Sequence, residues 1–207
     1  MESTTQPPKD VIIFILGPPG SGKGTNCERA AEILKPGHRC YRHISVGDCL
    51  RKLCNPETHC DEKNLDRNMI HNFLRENKLL PANVLIPLLK HTMDSTPTEK
   101  GCTTIWLIDG FPRNMETALA FEEKIGKPIK VIALRCHRDK AQDRYLKRCR
   151  ETIDDKERFN NRYDGYLRNM AAIQKHYESI LECISVDGDK QESLRQFMAA
   201  LPPTSDQ

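Results

Sequence analysis

The sequence predicts an α/β protein built on a mostly parallel sheet. Short runs of wholly apolar, β-branched residues, without polar alternation, read as strands covered on both faces. Helical patterns separate these runs, as βα alternation requires. The first run also stops at a glycine-rich turn that leads straight into a helix.

Val11–Leu16 (VIIFIL) is the first strand, ended by Gly17. Further strands are expected at 104–108 (TIWLI), 129–134 (IKVIAL) and 183–186, with a weaker one at 41–44 that runs into Ser45. Helical patterns occupy 23–34, 46–53, 65–77, 83–93, 115–125, 139–150, 158–181 and 192–200. Strand-to-strand crossovers should be right-handed. The interval 46–100 is too long for one crossover helix and should project as a helical insertion. A polar stretch at 149–156, between two helices, reads as a lid. No repeat or low-complexity segment interrupts the chain.

With 207 residues, the chain has room for one domain with insertions. Residues 1–10, polar and carrying Pro7 and Pro8, read as a disordered lead-in to a domain spanning 11–207, and they lack the pattern of a secretory signal or transit peptide. Lys+Arg total 32 against 29 Asp+Glu, a net charge of +3 with a pI near 8.3. That balance excludes the basic stripe of a dedicated nucleic-acid binder, and six per cent aromatics supply no stacking platform. No apolar run approaches the ~18 residues of a membrane span. Nine cysteines without a CxxC pair predict reduced thiols, not a zinc ribbon or redox site. A cytoplasmic or nuclear address is expected, with no nucleic-acid and no membrane partner.

Gly17-Pro18-Pro19-Gly20-Ser21-Gly22-Lys23-Gly24-Thr25 follows the first strand and opens a helix. The G-x-x-x-x-G-K spacing is that of a phosphate-binding P-loop. Glycines let successive backbone N–H groups turn toward one anion, the helix N-terminus adds its positive dipole end, and Lys23 adds a full charge. Gly24 stands where many such loops carry the magnesium-binding hydroxyl, and Thr25 comes one residue later, so metal contact would pass through water. No Ser–His–Asp or Cys–His set stands out, and His43, His71, His91 and His137 read as ordinary surface or core residues.

Three further segments accompany this loop: Ser45-Val46-Gly47-Asp48-Cys49-Leu50-Arg51, Asp109-Gly110-Phe111-Pro112-Arg113-Asn114 and Asp143-Arg144-Tyr145-Leu146-Lys147-Arg148. Together with the G-x-x-G-x-G-K-G-T cradle they resemble the adenylate kinase family of nucleoside monophosphate kinases over most of residues 11–200. The resemblance implies a P-loop three-layer fold with a five-stranded parallel sheet, a helical monophosphate-binding insertion at about 46–81 and a short lid at about 149–157. It implies ATP as phosphoryl donor and Mg2+ as cofactor. Gly17, Gly20, Ser21, Gly22, Lys23, Gly24 and Thr25 would cradle the donor, with Arg144 against its base and backbone near Asp189 and Lys190 reading the adenine. Ser45, Arg51, Gly110, Arg113, Asn114 and Thr117 would hold the acceptor, with the arginine forks gripping its phosphate. Asp109, with Thr25, would meet the metal through water.

Lys23, Arg113, Arg148 and Arg162 are implied to surround the transferred group. Arg144 and Arg148 lie four apart, on one helix face. Alignment back from His176-Tyr177-Glu178 selects Arg162, whereas counting forward from Asp155 leaves Arg158 as a rival. The lid, Cys149-Arg150-Glu151-Thr152-Ile153 before Asp154-Asp155, lacks the family's S-G-R, which leaves Arg150 as the one arginine that could replace it. Pyrimidine-specific UMP/CMP kinases read the base with G-F-P-R-N-x-x-N. Here Asn114 matches the first asparagine, while Thr117 stands at the second. Adenylate kinases usually carry glutamine there and often threonine at the position of Val46. The pattern leans toward a UMP/CMP acceptor, with AMP as the alternative. A nucleotide-binding regulatory protein that lost catalysis through its lid is the rival from another class.

Overall fold

A computed structural model describes residues 10–34, 39–55, 66–76, 78–98, 101–148 and 155–202. Five strands, β1 (Val11–Leu16), β2 (Arg39–Ser45), β3 (Thr103–Asp109), β4 (Lys130–Arg135) and β5 (Leu181–Ser185), form one sheet in the order β2-β3-β1-β4-β5. Every pairing is parallel.

The unbroken hydrophobicity of β1 has a direct cause. Ile12, Phe14 and Leu16 face one side layer of the core, while Ile13 and Ile15 face the other. The first face is covered by α4 (Ala82–Ser95), α5 (Met115–Lys124) and α7 (Lys156–His176), through Leu85, Leu89, Phe121 and Ile173. The second is covered by α1 (Lys23–Ile33) and α8 (Lys190–Ala200), through Cys27, Ala30 and Phe197. Phe14 anchors the first layer, with edge-on rings of Phe111 and Phe121 at 5.1 Å and Tyr177 at 5.8 Å. The remaining helices are α2 (Val46–Cys54), α3 (Arg67–Arg75) and α6 (Arg138–Lys147). The three-layer α/β fold expected from the sequence is therefore the one observed.

Several boundaries differ from expectation. The weak second strand runs seven residues, because each of its positions finds a β3 partner from Arg39↔Thr103 to Ser45↔Asp109. Its Arg39, Arg42 and His43 hide the signal, and such polar residues suit the sheet edge it occupies. The helix expected over 158–181 stops at His176. A 3-10 turn, Glu178–Ile180, follows, and β5 starts at Leu181, two residues earlier than expected. Tyr177, Ile180 and Leu181 continue the apolar spacing of the helix, so periodicity alone could not place the break. Asp10, assigned to the lead-in, is tethered: its carboxylate accepts a 3.0 Å hydrogen bond from Trp106 Nε1. Seven cysteines among the described residues are free thiols. No helix among those residues is long and apolar enough to cross a membrane. Most of the expected lid, including Arg150, lies outside the described residues, as do 56–65 of the expected insertion.

Sequence separation is overcome at the carboxyl ends of the strands. β1 sits between β3 and β4, so the chain leaves it on one side and later returns on the other. Ligands collect at such a switch point in open parallel sheets. Gly17, Ser45 and Asp109, from three different strands, arrive there together.

Candidate active site

A cleft of about 680 Å3 opens over these strand ends. Its first wall is the loop between β1 and α1. Gly20 has φ +79°, and a Cβ there would lie 1.9 Å from the Ala141 carbonyl oxygen of α6, so only glycine lets loop and helix touch. Gly22 caps α1 with φ 83° and offers no side-chain acceptor, and no acidic residue occupies the first turn. The helix therefore presents an uncompensated positive end to the cleft. Gly17, Ser21, Gly24 and Thr25 also line it.

Lys23 Nζ donates to the carbonyls of Gly17 (2.8 Å) and Pro18 (2.9 Å), and to Ser21 Oγ at 3.3 Å. Burial lowers its pKa from 10.5 to about 8; Asp109 opposes the shift, while Arg113 and Arg148 add to it. The ammonium is thus kept short of negative partners, and an incoming polyanion would supply them.

Asp109 ends β3 and is buried, and its Oδ1 has no hydrogen-bond partner. His43 Nε2, also without a hydrogen-bond partner, lies 3.6 Å from Oδ2. His43 was expected to be an ordinary residue, and strand pairing is what brings it to the site. No cluster of three or more His, Cys, Asp or Glu able to hold a metal occurs among the described residues. A lone buried carboxylate oxygen fits a hydrated Mg2+ carried mainly by phosphates, which keeps several waters and takes one or two carboxylates.

The second wall comes from β2, β3 and the residues that follow them. Ser45 Oγ caps α2 by accepting from the Asp48 N–H. Arg51 lies over Gly47 and pairs with Asp48. Arg113 Nε donates to the Gly110 carbonyl at 3.0 Å. Burial, then Arg162, pushes the Arg113 pKa down to about 10, with Asp109 opposing and Arg51 contributing. Its side chain is nonetheless open to the solvent of the cleft, so it stays charged at neutral pH.

Tyr145, fully buried on α6, joins the third set. Arg148 stacks 4.2 Å above its ring, and Arg162 NH1 donates to its hydroxyl at 3.4 Å. One aromatic residue thereby holds two arginines from different helices. Nothing in the sequence reading assigned it that role, although its place between Arg144 and Arg148 was a clue. Of the two rivals on α7, Arg162 lines the cleft, whereas Arg158 places NH2 3.5 Å from the Leu74 carbonyl and is absent from the cleft wall. Arg144 lines the cleft but holds a loop, donating to the carbonyls of Val186 and Gly188 at 2.7 Å each.

Three expected site residues, Asp189, Asn114 and Thr117, are not on the wall of the main cleft. Asp189 caps α8, accepting from the N–H groups of Gln191 and Glu192, while its neighbour Lys190 faces the cleft. Asn114 caps α5 and, with Thr117, lines a smaller recess beside the main cleft. Arg150 is outside the described residues. Cationic wall residues that sequence reasoning missed are Arg29, Lys78, Lys147 and Arg168. Solvated helix faces rich in basic residues gave no reason to single them out. Among the described residues, eleven Lys and Arg line the cleft against one carboxylate, that of Asp109. Burial raises the thiol pKa values of Cys27, Cys49 and Cys136, which removes them as nucleophiles. The arrangement can grip polyanions and neutralise charge between them.

The family model described as adenylate kinase matches residues 15–181. UMP-CMP kinase 3 of Oryza sativa subsp. japonica is 34% identical over 185 residues, covering 88% of this chain and 80% of that protein. UMP-CMP kinase of Homo sapiens is 31% identical over 189 residues, covering 88% and 91%. Adenylate kinase isoenzyme 5 of Homo sapiens is 31% identical over 195 residues, covering 92% of this chain and 32% of that protein. Related over most of its length to these enzymes, the chain belongs to the adenylate kinase family and is a nucleoside monophosphate kinase.

Proposed function

We propose that this enzyme transfers the terminal phosphoryl group of ATP to UMP or CMP, giving ADP and a nucleoside diphosphate, with Mg2+ as cofactor. The observation that carries the reading is the division of the cleft's cations. One set surrounds the amide-rich loop at Lys23, a second comprises Arg51 and Arg113 from remote segments, and Arg148 and Arg162 stand with Tyr145.

The chemistry follows from that division. The acceptor phosphate is already an anionic nucleophile, so no general base is needed, and phosphoryl transfer becomes positioning and charge neutralisation. The loop amides and Lys23 orient the donor's outer phosphates. Arg51 and Arg113 hold the acceptor phosphate in planar, bidentate grips. Arg148 and Arg162, pre-oriented by Tyr145, meet charge that spreads over the transferred group. Asp109 and Thr25 would hold Mg2+ through water, and the ion would supply further neutralisation of charge on the donor phosphates. Arg150 would replace the arginine missing from the lid, whose closure would exclude water. The protein would act as a monomer, with nucleotides as its partners, in the cytoplasm or nucleus.

An ADP-release assay with ATP and a panel of UMP, CMP, AMP and GMP tests the reading. Turnover with the pyrimidine monophosphates supports it. Transfer to no monophosphate refutes it. The similarity to adenylate kinase isoenzyme 5 favours AMP as the second reading, and AMP turnover well above that of UMP and CMP would establish it.

A further inference from the structure

Arg51 and Arg113, the two arginines of the acceptor grip, are each seated over a glycine. Arg113 Nε donates to the Gly110 carbonyl at 3.0 Å, and a Cβ at Gly110 would stand 3.4 Å from its NH2 group. Arg51 lies across Gly47 in the same way, where a Cβ would stand 3.2 Å from NH2 and 3.4 Å from NH1. The anchors differ in charge. That of Arg113 is a neutral carbonyl, whereas that of Arg51 is the Asp48 carboxylate, whose Oδ1 accepts from Arg51 NH2.

Local sequence fixes where Asp48 stands. Ser45 Oγ caps α2 by accepting from the Asp48 N–H at 3.3 Å, which sets Asp48 in the first turn of the helix. Asp48 and Arg51 are then three residues apart and neighbours on one face. Arg51 lines the cleft and Asp48 does not. The carboxylate thus holds the guanidinium without itself meeting a ligand. An anchor is needed here because the surrounding charges push apart. Burial, and then the charges of Arg162 and Arg51, lower the Arg113 pKa, so these guanidinium groups repel one another. The Arg51 side chain is 30% exposed, which leaves it a path to solvent. An arginine released along that path would have to be immobilised again each time a phosphate binds.

We infer that Asp48 is a positioning residue, whose carboxylate holds the Arg51 fork in the orientation that grips the acceptor phosphate. The inference rests on the acceptor role given to Arg51 under the proposed function. Asp48 touches neither nucleotide, so its loss acts on acceptor binding and leaves donor binding alone. The ion pair itself adds little to the stability of the fold, because both side chains are about one-third exposed.

The test is steady-state kinetics with ATP and UMP, CMP or AMP for wild type, Asp48→Asn, Asp48→Glu, Arg51→Ala and the Asp48→Asn/Arg51→Ala double variant. Calorimetric titration of the same monophosphate without ATP, and thermal unfolding, accompany each. Asp48→Asn removes the charge and keeps the backbone N–H that Ser45 caps. It should raise the monophosphate KM and calorimetric Kd about three- to tenfold, the range set by immobilising one long side chain, with the ATP KM unchanged. Its unfolding midpoint should stay within about 4 °C of wild type. Asp48→Glu, which keeps the charge in the first turn, should recover most of the affinity. With Arg51→Ala there is no fork to hold, so adding Asp48→Asn should change the monophosphate KM by less than about twofold. An unchanged monophosphate KM in Asp48→Asn, an equal rise in both substrates' KM values, or the same effect with and without Arg51 overturns the inference while the role of Arg51 stands. If Arg51→Ala itself leaves the monophosphate KM unchanged, the acceptor role of Arg51 fails and the inference with it.

Discussion

Replacing Lys23 with methionine should slow transfer sharply and also change how stability depends on pH. Lys23 has an ordinary pKa of 10.5 in the unfolded chain and about 8 in the fold. Between those values the unfolded state binds a proton that the native state has released, so stability rises with pH. A lysine with a depressed pKa therefore destabilises the fold at neutral pH, and the penalty fades as pH climbs. Working the two pKa values through the linkage relation, the stability gap should move about 2 kcal/mol in favour of wild type between about pH 7 and about pH 9.5. Lys23→Met cancels the contributions of groups common to both proteins. Urea unfolding of the two proteins across that range supplies the measurement. Parallel curves, with the gap constant to within about 0.5 kcal/mol, would refute the burial argument. ATP should restore the charge of Lys23, so donor affinity should weaken as pH rises through about 8. Loss of this charge at the transferred group should lower kcat on the order of 10²- to 10³-fold.

Tyr145→Phe keeps the ring under Arg148 but removes the acceptor for Arg162. One lost hydrogen bond of about 1 kcal/mol predicts a kcat roughly fivefold lower, with nucleotide KM values little changed in steady-state kinetics. Arg144→Ala releases the carbonyls of Val186 and Gly188. It should raise the KM for ATP about tenfold and speed amide hydrogen exchange at residues 186–189. Gly20→Ala combines a positive φ with the Ala141 clash, and chemical denaturation should show a loss of at least about 2 kcal/mol. Chelating divalent cations should stop transfer, while calorimetry should still detect monophosphate binding, because Arg51 and Arg113 need no metal.

Local chemistry explains which parts could be read in advance. The loop from Gly17 to Thr25 is contiguous, so its spacing alone specifies an anion cradle. The strand Val11–Leu16 is buried on both faces, so its composition is unambiguous. His43 and Tyr145 were not legible as site residues, because strand pairing sets one beside Asp109 and helix packing sets the other beneath Arg162. Asn114 was read as a base contact, yet its oxygen also caps α5, a duty visible only once the helix start is known. The break at His176 was hidden because Tyr177 and Ile180 carry helical spacing into a tight turn.

By itself the sequence determined the α/β class, the phosphate cradle and the arginine-bearing segments, because each depends on residues adjacent along the chain or one helical turn apart. Only the tertiary structure decided that Arg162, not Arg158, lines the cleft and that one aromatic ring braces two guanidinium groups. Those outcomes depend on distances between segments far apart in the chain, and burial and hydrogen-bond competition set them only when the layers close.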